Sequence, residues 1–479
     1  MTETPITAVW EITMGCNMRC GHCGSSCEER LSDELTTDEA LSLIDQIADL
    51  GLHWITLSGG EPLMRKDLPL LVQKFTSRSV AVNIITNGWF MDSKIAHELK
   101  KSGISTVAIS IDGTEEIHDS IRMKGSFGRI EQAADHLNRA GVNIGAVTTI
   151  SNKNIGCLPE LRRRLIDLGV NQWQVQLGQP MGNFKERPQW VAEPAAIPAI
   201  IDFCYEIWLE GEIIIRPADC IGYYSEKEMI IRQKPEMGGS IWNGCNAGVR
   251  SFGILQNGDI LGCTSIRDES FVEGNIRNTP LSEIWHNPNG FSWRREMTKE
   301  QLAGDCVICA YGSRCLGGCP NVRLTMNGDI DSENLYCAYN LALKRLREGL
   351  LSETDSEWLI AQAEQSIHNK DFQTSAFFAE RALALTPENK KALAIKGFAD
   401  FMCGNYSLCE AANRKALEID PNDTYAMKGL GLALHKMGDS EQGLKIIEEA
   451  AKITNYADSD IMHDLNYVRQ EMKSNENTR

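Results

Sequence analysis

At 479 residues the chain is too long for one hydrophobic core, so two to four domains are expected. Its composition, 42% hydrophobic and 24% charged, is that of an ordinary globular protein, and a net charge of −17 weighs against broad binding to nucleic acid or anionic membranes. No apolar run approaches ~18 residues, and the opening "MTETPITAVW" has neither a basic n-region nor an apolar h-region, so no membrane span or export signal is expected and the cytoplasm is the expected location.

In chain order, β-branched runs predict strands at 9–13 (VWEIT), 53–58 (HWITLS), 81–86 (AVNIIT), 107–111 (VAISI), 143–150 (NIGAVTTI) and 173–177 (WQVQL). Amphipathic stretches between them predict helices at 36–50, 67–78, 91–102, 127–140, 157–168 and 195–209, the first opened by a capping box from Thr36 to Glu39. Strand and helix in alternation mean βα units and a parallel sheet. Functional loops then belong after the strands, where the chain reads MGCNMRCGHC, GGEP, NGW, DGTEEIHDSIR and GQPMGN. From about 235 to 345 periodicity weakens, Gly and Cys become frequent, and SFGILQNGDILGC predicts a hairpin turning at Asn257–Gly258.

From 356 the chain turns helical and repeats itself. Pro387 and Pro421, Gly404 and Gly438, Gly397 and Gly431, and Ala392 and Ala426 are each 34 residues apart, and Ala382, Ala416 and Ala450 continue the step. This period resembles tetratricopeptide (TPR) repeats, here at 356–389, 390–423 and 424–457, closed by a polar capping helix at 459–473.

Sixteen cysteines in a reducing compartment read as metal or redox ligands rather than disulfides. Cys16, Cys20 and Cys23 form C-x3-C-x2-C. Such spacing could share one helix face, but Gly15, Asn17, Gly21 and Gly24 make a poor helix, so a loop bending three thiolates around one object fits better. Three thiolates are one short of a closed iron–sulfur cubane. Farther on come Cys245 and Cys263, then Cys306, Cys309, Cys315 and Cys319 spaced C-x2-C-x5-C-x3-C, then Cys337. Zinc is the alternative occupant there, and thiolate–metal bonds would replace the apolar core this region lacks.

C-x3-C-x2-C after the first strand, followed by GGEP (59–62) after the second, resembles the radical S-adenosylmethionine (SAM) superfamily. The resemblance implies a 4Fe-4S cluster on Cys16, Cys20 and Cys23 whose open iron chelates SAM. One electron then splits the sulfonium, and a 5′-deoxyadenosyl radical abstracts hydrogen from a substrate. It also implies Gly59, Gly60 and Glu61 at the SAM amino group, His22 beside the adenine, and an electron donor of flavodoxin or ferredoxin type. SIDGTEEIHDSIR resembles the fourth-strand segment of peptide- and protein-modifying members, implying Ser110 at the ribose and Arg122 at the SAM carboxylate.

The seven later cysteines resemble the SPASM domain, which implies two auxiliary 4Fe-4S clusters and three in all. Cys306, Cys309, Cys315 and Cys337 would hold the outer cluster, and Cys245, Cys263 and Cys319 the inner one. Anaerobic sulfatase maturases carry an extra cysteine where this chain has Ser251, and an Asp where it has Thr264, so formylglycine formation is disfavoured. The inner cluster is left with an iron open to a substrate thiolate or amide, or to Cys220 in RPADC, which no spacing rule assigns. Cys27 fits no ligand slot.

The expected architecture is a partial (β/α)6 barrel over 1–230, an irregular α+β SPASM domain over 235–350 and an all-α TPR solenoid over 353–479. The expected function is oxidative modification, a cross-link or dehydrogenation, in the maturation of a ribosomal peptide. The fifteen residues before the first ligand leave no room for an N-terminal peptide-binding domain, so the repeat groove is the expected dock for a precursor peptide or protein. The alternatives are radical chemistry on a small molecule such as a porphyrin, epimerisation with Cys157, Cys204 or Cys220 returning hydrogen, and a non-catalytic iron–sulfur electron-transfer scaffold.

Overall fold

The β-branched runs pair into a parallel sheet. In the computed structural model, which describes residues 4–233 and 242–476 with side chains to 474, six strands stand side by side in chain order: β1 (Thr7–Glu11), β2 (Trp54–Ser58), β3 (Ala81–Thr86), β4 (Thr106–Ser110), β5 (Asn143–Ile150) and β6 (Gln172–Leu177). Neighbours are parallel throughout, with Trp10 opposite Leu57 and Ile84 opposite Val107. A further parallel strand, β7 (Ile214–Pro217), extends the sheet past β6. It escapes the pattern reading because it is four residues long and ends in proline, a residue that depresses strand assignment.

On the opposite edge β8 (Ser251–Ile254) runs parallel to β1, and β9 (Asp259–Leu261) and β10 (Val272–Asn275) continue antiparallel. The β8–β9 turn holds Asn257 and Gly258, the latter at φ +91°, where glycine is favoured.

Alternation sorts the side chains between two faces. On β6, Trp173, Val175 and Leu177 are buried while Gln172, Gln174 and Gln176 point the other way. The apolar face is covered by helices: Leu43, Ile44 and Ile47 of helix Thr37–Asp49 are fully buried, and Phe75 of helix Leu68–Ser77 meets Trp10 edge-on at 6.4 Å. Each such side chain contributes roughly 1.5–3 kcal/mol. The Thr36–Glu39 capping box forms as expected. One addition is helix Glu115–Ile121 inside DGTEEIHDSIR, where Glu115 and Glu116 favour a helix N-terminus.

The chain divides into two units, Met1–Ala303 with Arg314–Tyr339, and Gly304–Ser313 with Asn340–Arg479. Residues 235–241, where the expected SPASM domain opens, lie outside the described residues, as do 1–3 and 477–479. The second unit carries helix pairs Ser356–His368 with Phe372–Leu385, Lys390–Met402 with Tyr406–Ile419, and Thr424–Lys436 with Ser440–Ile453, then helix Ser459–Glu476. N-caps recur at the same step as the glycines: Asp355, Asn389 and Asp423 each accept backbone N–H bonds at the start of the first helix of a pair. A Cβ on Gly431 would lie 2.7 Å from the Gly443 carbonyl, so glycine permits the close crossing of the last pair. The final helix buries Ile461, Leu465 and Val468 against Ile447 and Ala450. Among the described residues no helix is long and apolar enough to cross a membrane.

Candidate active site

Between β1 and helix Thr37–Asp49 the cysteine loop has no regular structure, as its glycines require. It is held by bonds from distant segments. Cys16 N–H donates to the Glu28 carbonyl at 2.8 Å and Gly21 N–H to the Ile121 carbonyl at 2.8 Å. Asn183, after β6, donates its backbone N–H to the Cys23 carbonyl at 2.9 Å and its side-chain amide to the Cys20 carbonyl at 3.2 Å. Cys16, Cys20 and Cys23 all line a cavity of about 420 Å³ at the C-terminal ends of the strands.

The three thiols differ in setting. Burial pushes Cys16 up to about 11. Burial also raises Cys20, against the pull of the Arg122 cation. The Cys27 side chain hydrogen-bonds Cys23 and lowers its pKa. Cys27, buried and also lining the cavity, is thus a partner of Cys23.

The GGE turn packs against this loop backbone to backbone. Gly60 N–H donates to the Thr13 carbonyl at 2.7 Å and Glu61 N–H to the Gly15 carbonyl at 2.8 Å. A Cβ on Gly60 would lie 2.1 Å from the Gly15 oxygen, and Gly59 sits at φ +128°, so neither position accommodates a side chain. Both glycines line the cavity. Glu61 does not. Its carboxylate is fully buried, accepting from Thr86 Oγ1 at 2.6 Å, Leu63 N at 3.0 Å and Asn87 N at 2.7 Å. Burial raises its pKa against those bonds. Glu61 thereby joins the GGE turn to the end of β3.

Asp112 is the residue that the pattern reading missed. It follows β4, is completely buried, and takes the His22 Nε2 contact at 2.9 Å, the Arg122 Nε–H bond, and the Thr149 N–H at 3.0 Å. Burial opposes its ionisation, but Arg122 and then His22 hold its carboxyl well below the usual range. Burial likewise works against the Arg122 charge, and Asp112 and Cys20 raise its pKa. Arg122 Nη1 lies 3.9 Å from Cys20 Sγ. His22 and Arg122, which line the cavity together with Ser110, are thus both held from behind by one buried carboxylate. The signal was the D of SIDG, one residue beyond the predicted strand.

The same cavity is also lined by Cys263 and Cys319. Cys245 interacts electrostatically with Cys263, and burial pushes its thiol up to about 12. Cys263 and Cys319 are raised by burial as well. Of the outer set, Cys315 and Cys337 belong to the first unit and Cys306 and Cys309 to the second, all four buried. Of the three loose thiols, Cys220 reaches the cavity while Cys157 and Cys204 are absent from its wall. Arg267, beyond β9, donates to Glu11 and at 2.6 Å to Ser25 Oγ, tying the hairpin region to the cysteine loop.

The donor set fits iron–sulfur chemistry: soft thiols in a clamped loop, backbone cradled by glycines, and a guanidinium beside one sulfur. Among the described residues no three His, Cys, Asp or Glu side chains converge tightly enough for a single metal ion. A polynuclear cluster, ligated at its corners, asks for thiols set wider.

Comparison with known proteins agrees. The family described as the radical SAM superfamily matches residues 10–165, and that described as an iron-sulfur cluster-binding domain, SPASM, matches 245–311. The AdoMet-dependent heme synthase of Methanosarcina barkeri (strain Fusaro / DSM 804) is 32% identical over 353 residues, covering 71% of this chain and 98% of that protein. Mycofactocin maturase MftC of Mycobacterium tuberculosis (strain ATCC 25618 / H37Rv) is 28% identical over 341 residues, 70% of this chain and 83% of that one. The crystal structure of Streptococcus suis SuiB bound to precursor peptide SuiA shares the fold, with a TM-score of 0.57 at 18% identity over 70% of this chain and 76% of that one. The chain belongs to the radical SAM superfamily, as an enzyme that carries a SPASM iron–sulfur cluster-binding domain.

Proposed function

We propose that this enzyme cleaves SAM reductively and abstracts hydrogen from a peptide or protein side chain, giving a cross-link or dehydrogenation in ribosomal peptide maturation. The observation that carries this reading is that Cys16, Cys20, Cys23, Cys263 and Cys319 all line one cavity. A side chain seated between the two thiol groups loses hydrogen at one end and has an electron sink at the other. Bound on the three N-terminal thiolates, the cluster and SAM supply the radical; the protein supplies orientation and exclusion of water.

Cys16, Cys20 and Cys23 hold that cluster. Gly59 and Gly60 leave room for the SAM amino end, and His22 and Ser110 flank the nucleoside. Arg122 presents its guanidinium to the SAM carboxylate, with Asp112 fixing its direction. Cys245, Cys263 and Cys319 hold an inner auxiliary cluster, and Cys306, Cys309, Cys315 and Cys337 an outer one. The helical repeats serve as the dock for the precursor, a flavodoxin or ferredoxin supplies electrons, and cysteines in this number, read as ligands, suit a reducing cytoplasm. Support for a peptide substrate comes from the mycofactocin maturase relative and from the repeats.

A second reading is a tetrapyrrole substrate, favoured by the 32% identity to a heme synthase. One experiment separates them. The enzyme is reconstituted without oxygen, reduced with dithionite, and given SAM with either a short peptide encoded beside its gene or an iron porphyrin. The peptide reading expects 5′-deoxyadenosine together with a peptide lighter by two hydrogens. A changed porphyrin with an unchanged peptide supports the second reading, and no 5′-deoxyadenosine under any condition defeats both.

A further inference from the structure

The inner set supplies three thiols where a closed cubane takes four, and two unassigned thiols line the cavity: Cys27, which hydrogen-bonds Cys23, and Cys220. We propose that Cys220 is the fourth thiolate of the inner auxiliary cluster, closing it so that no iron is left for substrate; this rests on reading Cys245, Cys263 and Cys319 as a cluster site.

Cys220 sits in the turn that follows β7 and lines the same cavity as Cys263 and Cys319. Cys319 lies within electrostatic range of Cys245, Cys220 and Cys263 together. The turn is also latched to the segment bearing Cys319. Cys319 N–H donates to Tyr223 Oη at 2.8 Å, and the Tyr223 hydroxyl donates onward to the Asp219 carbonyl. Tyr223 is completely buried, and Gly318 gives it room, since a Cβ there would come within 2.4 Å of the ring. One side chain thus sets Cys220 and Cys319 in register, although they are far apart in sequence.

The surroundings of Cys220 suit a bound thiolate. Its sulfur accepts the Leu177 N–H at 3.2 Å, and backbone hydrogen bonds to sulfur are a means by which proteins tune iron–sulfur centres. A plain core cysteine has no need to face a cavity that holds other thiols. The neighbouring carboxylate, Asp219, is a weaker candidate. It is 40% exposed, already pairs with Arg232 at 3.3 Å, and is a hard ligand where soft thiolate is preferred. A closed inner cluster relays an electron and does not bind the substrate, which leaves recognition to the remaining cavity wall.

The test uses the full chain with Cys16, Cys20 and Cys23 replaced by Ala, so that the auxiliary clusters alone report. After anaerobic reconstitution and reduction, iron content and the electron paramagnetic resonance spectrum are recorded with and without potassium cyanide, a ligand for exposed iron. In this background the spectrum is expected to ignore cyanide. Adding Cys220→Ala should shift the spectrum and make it respond to cyanide, and Cys220→Ser should shift it differently. Cys204→Ala, which removes a buried thiol outside the cavity, should change nothing; an equal shift there would mark general loosening and overturn the proposal. So would an unchanged Cys220→Ala spectrum with iron retained, a cyanide response before Cys220 is touched, or a shift produced by Asp219→Asn instead. Absence of iron from the background protein would sink the proposal and the cluster reading together.

Discussion

The two units are held by different kinds of contact. In the first, the deciding bonds join residues far apart in sequence: His22 to Asp112, Glu61 to Thr86 and Asn87, and Arg267 to Ser25. Most involve buried charge, satisfied by a loop or strand end that another element positions. In the second, the contacts repeat and are local. An Asp or Asn caps each first helix, small residues sit at the crossings, and each helix packs against its neighbours in the chain. A lost side chain should therefore propagate through the first unit and stay within its repeat in the second.

Asp112→Asn is the sharpest way to break that contrast. It leaves Arg122 and His22 without their buried counter-charge while keeping an oxygen for the Thr149 N–H. Removing one partner of a buried pair costs about 3–5 kcal/mol. Misplacing groups that orient a metal-bound ligand costs on the order of tenfold to a hundredfold in affinity. Both effects are expected: a lower urea midpoint for the sheet, and weaker SAM binding to reconstituted enzyme by equilibrium dialysis. Wild-type values for both would show that Asp112 is a passive filler.

His118 gives the contrast a pH dependence. Its Nδ1 accepts the Asp112 N–H, and burial, then the Arg122 charge, bring its pKa from 6.5 down to about 4. The folded chain keeps this imidazole neutral while the unfolded chain protonates it below 6.5. The unfolded state thus binds more protons between pH 6.5 and about 4. Stability is full above that window and falls as pH drops through it, by on the order of 3 kcal/mol. Protection of β4 and β5 amides against hydrogen exchange should follow this slope, and His118→Asn should flatten it. An identical slope in parent and variant would assign the acid sensitivity elsewhere.

These residues also mark where the sequence could and could not be read. The parallel βα sheet followed from alternation, the capping box from Thr36 and Glu39, and the helical period from matched glycines, because each is a local pattern. The loop character of Cys16–Cys23 was legible for the same reason, since glycine content decides it. The meeting of His22 with the Asp112–Arg122 pair was not, because sheet topology brings His22 to Asp112 across ninety residues. The bonds that Glu61 accepts from Thr86 and Asn87 are likewise invisible in the sequence, since the donors lie twenty-five residues and more away. β7 was too short to announce itself. The recurring caps at 355, 389 and 423 were visible in principle, at the same period as the glycines that were noticed.

Those caps give the smallest effect and the cleanest check on locality. Asp423 Oδ1 accepts the Tyr425 and Ala426 N–H groups at 3.1 and 3.0 Å. Replacing such a cap with Ala costs about 1 kcal/mol, because orphan donors at the helix start lose their partner. In the full chain, Asp423→Ala should speed amide exchange across Thr424–Lys436 about fivefold, the factor that ~1 kcal/mol confers. Exchange in β4 and β5 should not move, because repeat units couple chiefly to their neighbours. Faster exchange reaching those strands would mean that the repeats and the sheet share one cooperative transition, and the distinction between local and long-range contacts would not describe how this chain unfolds.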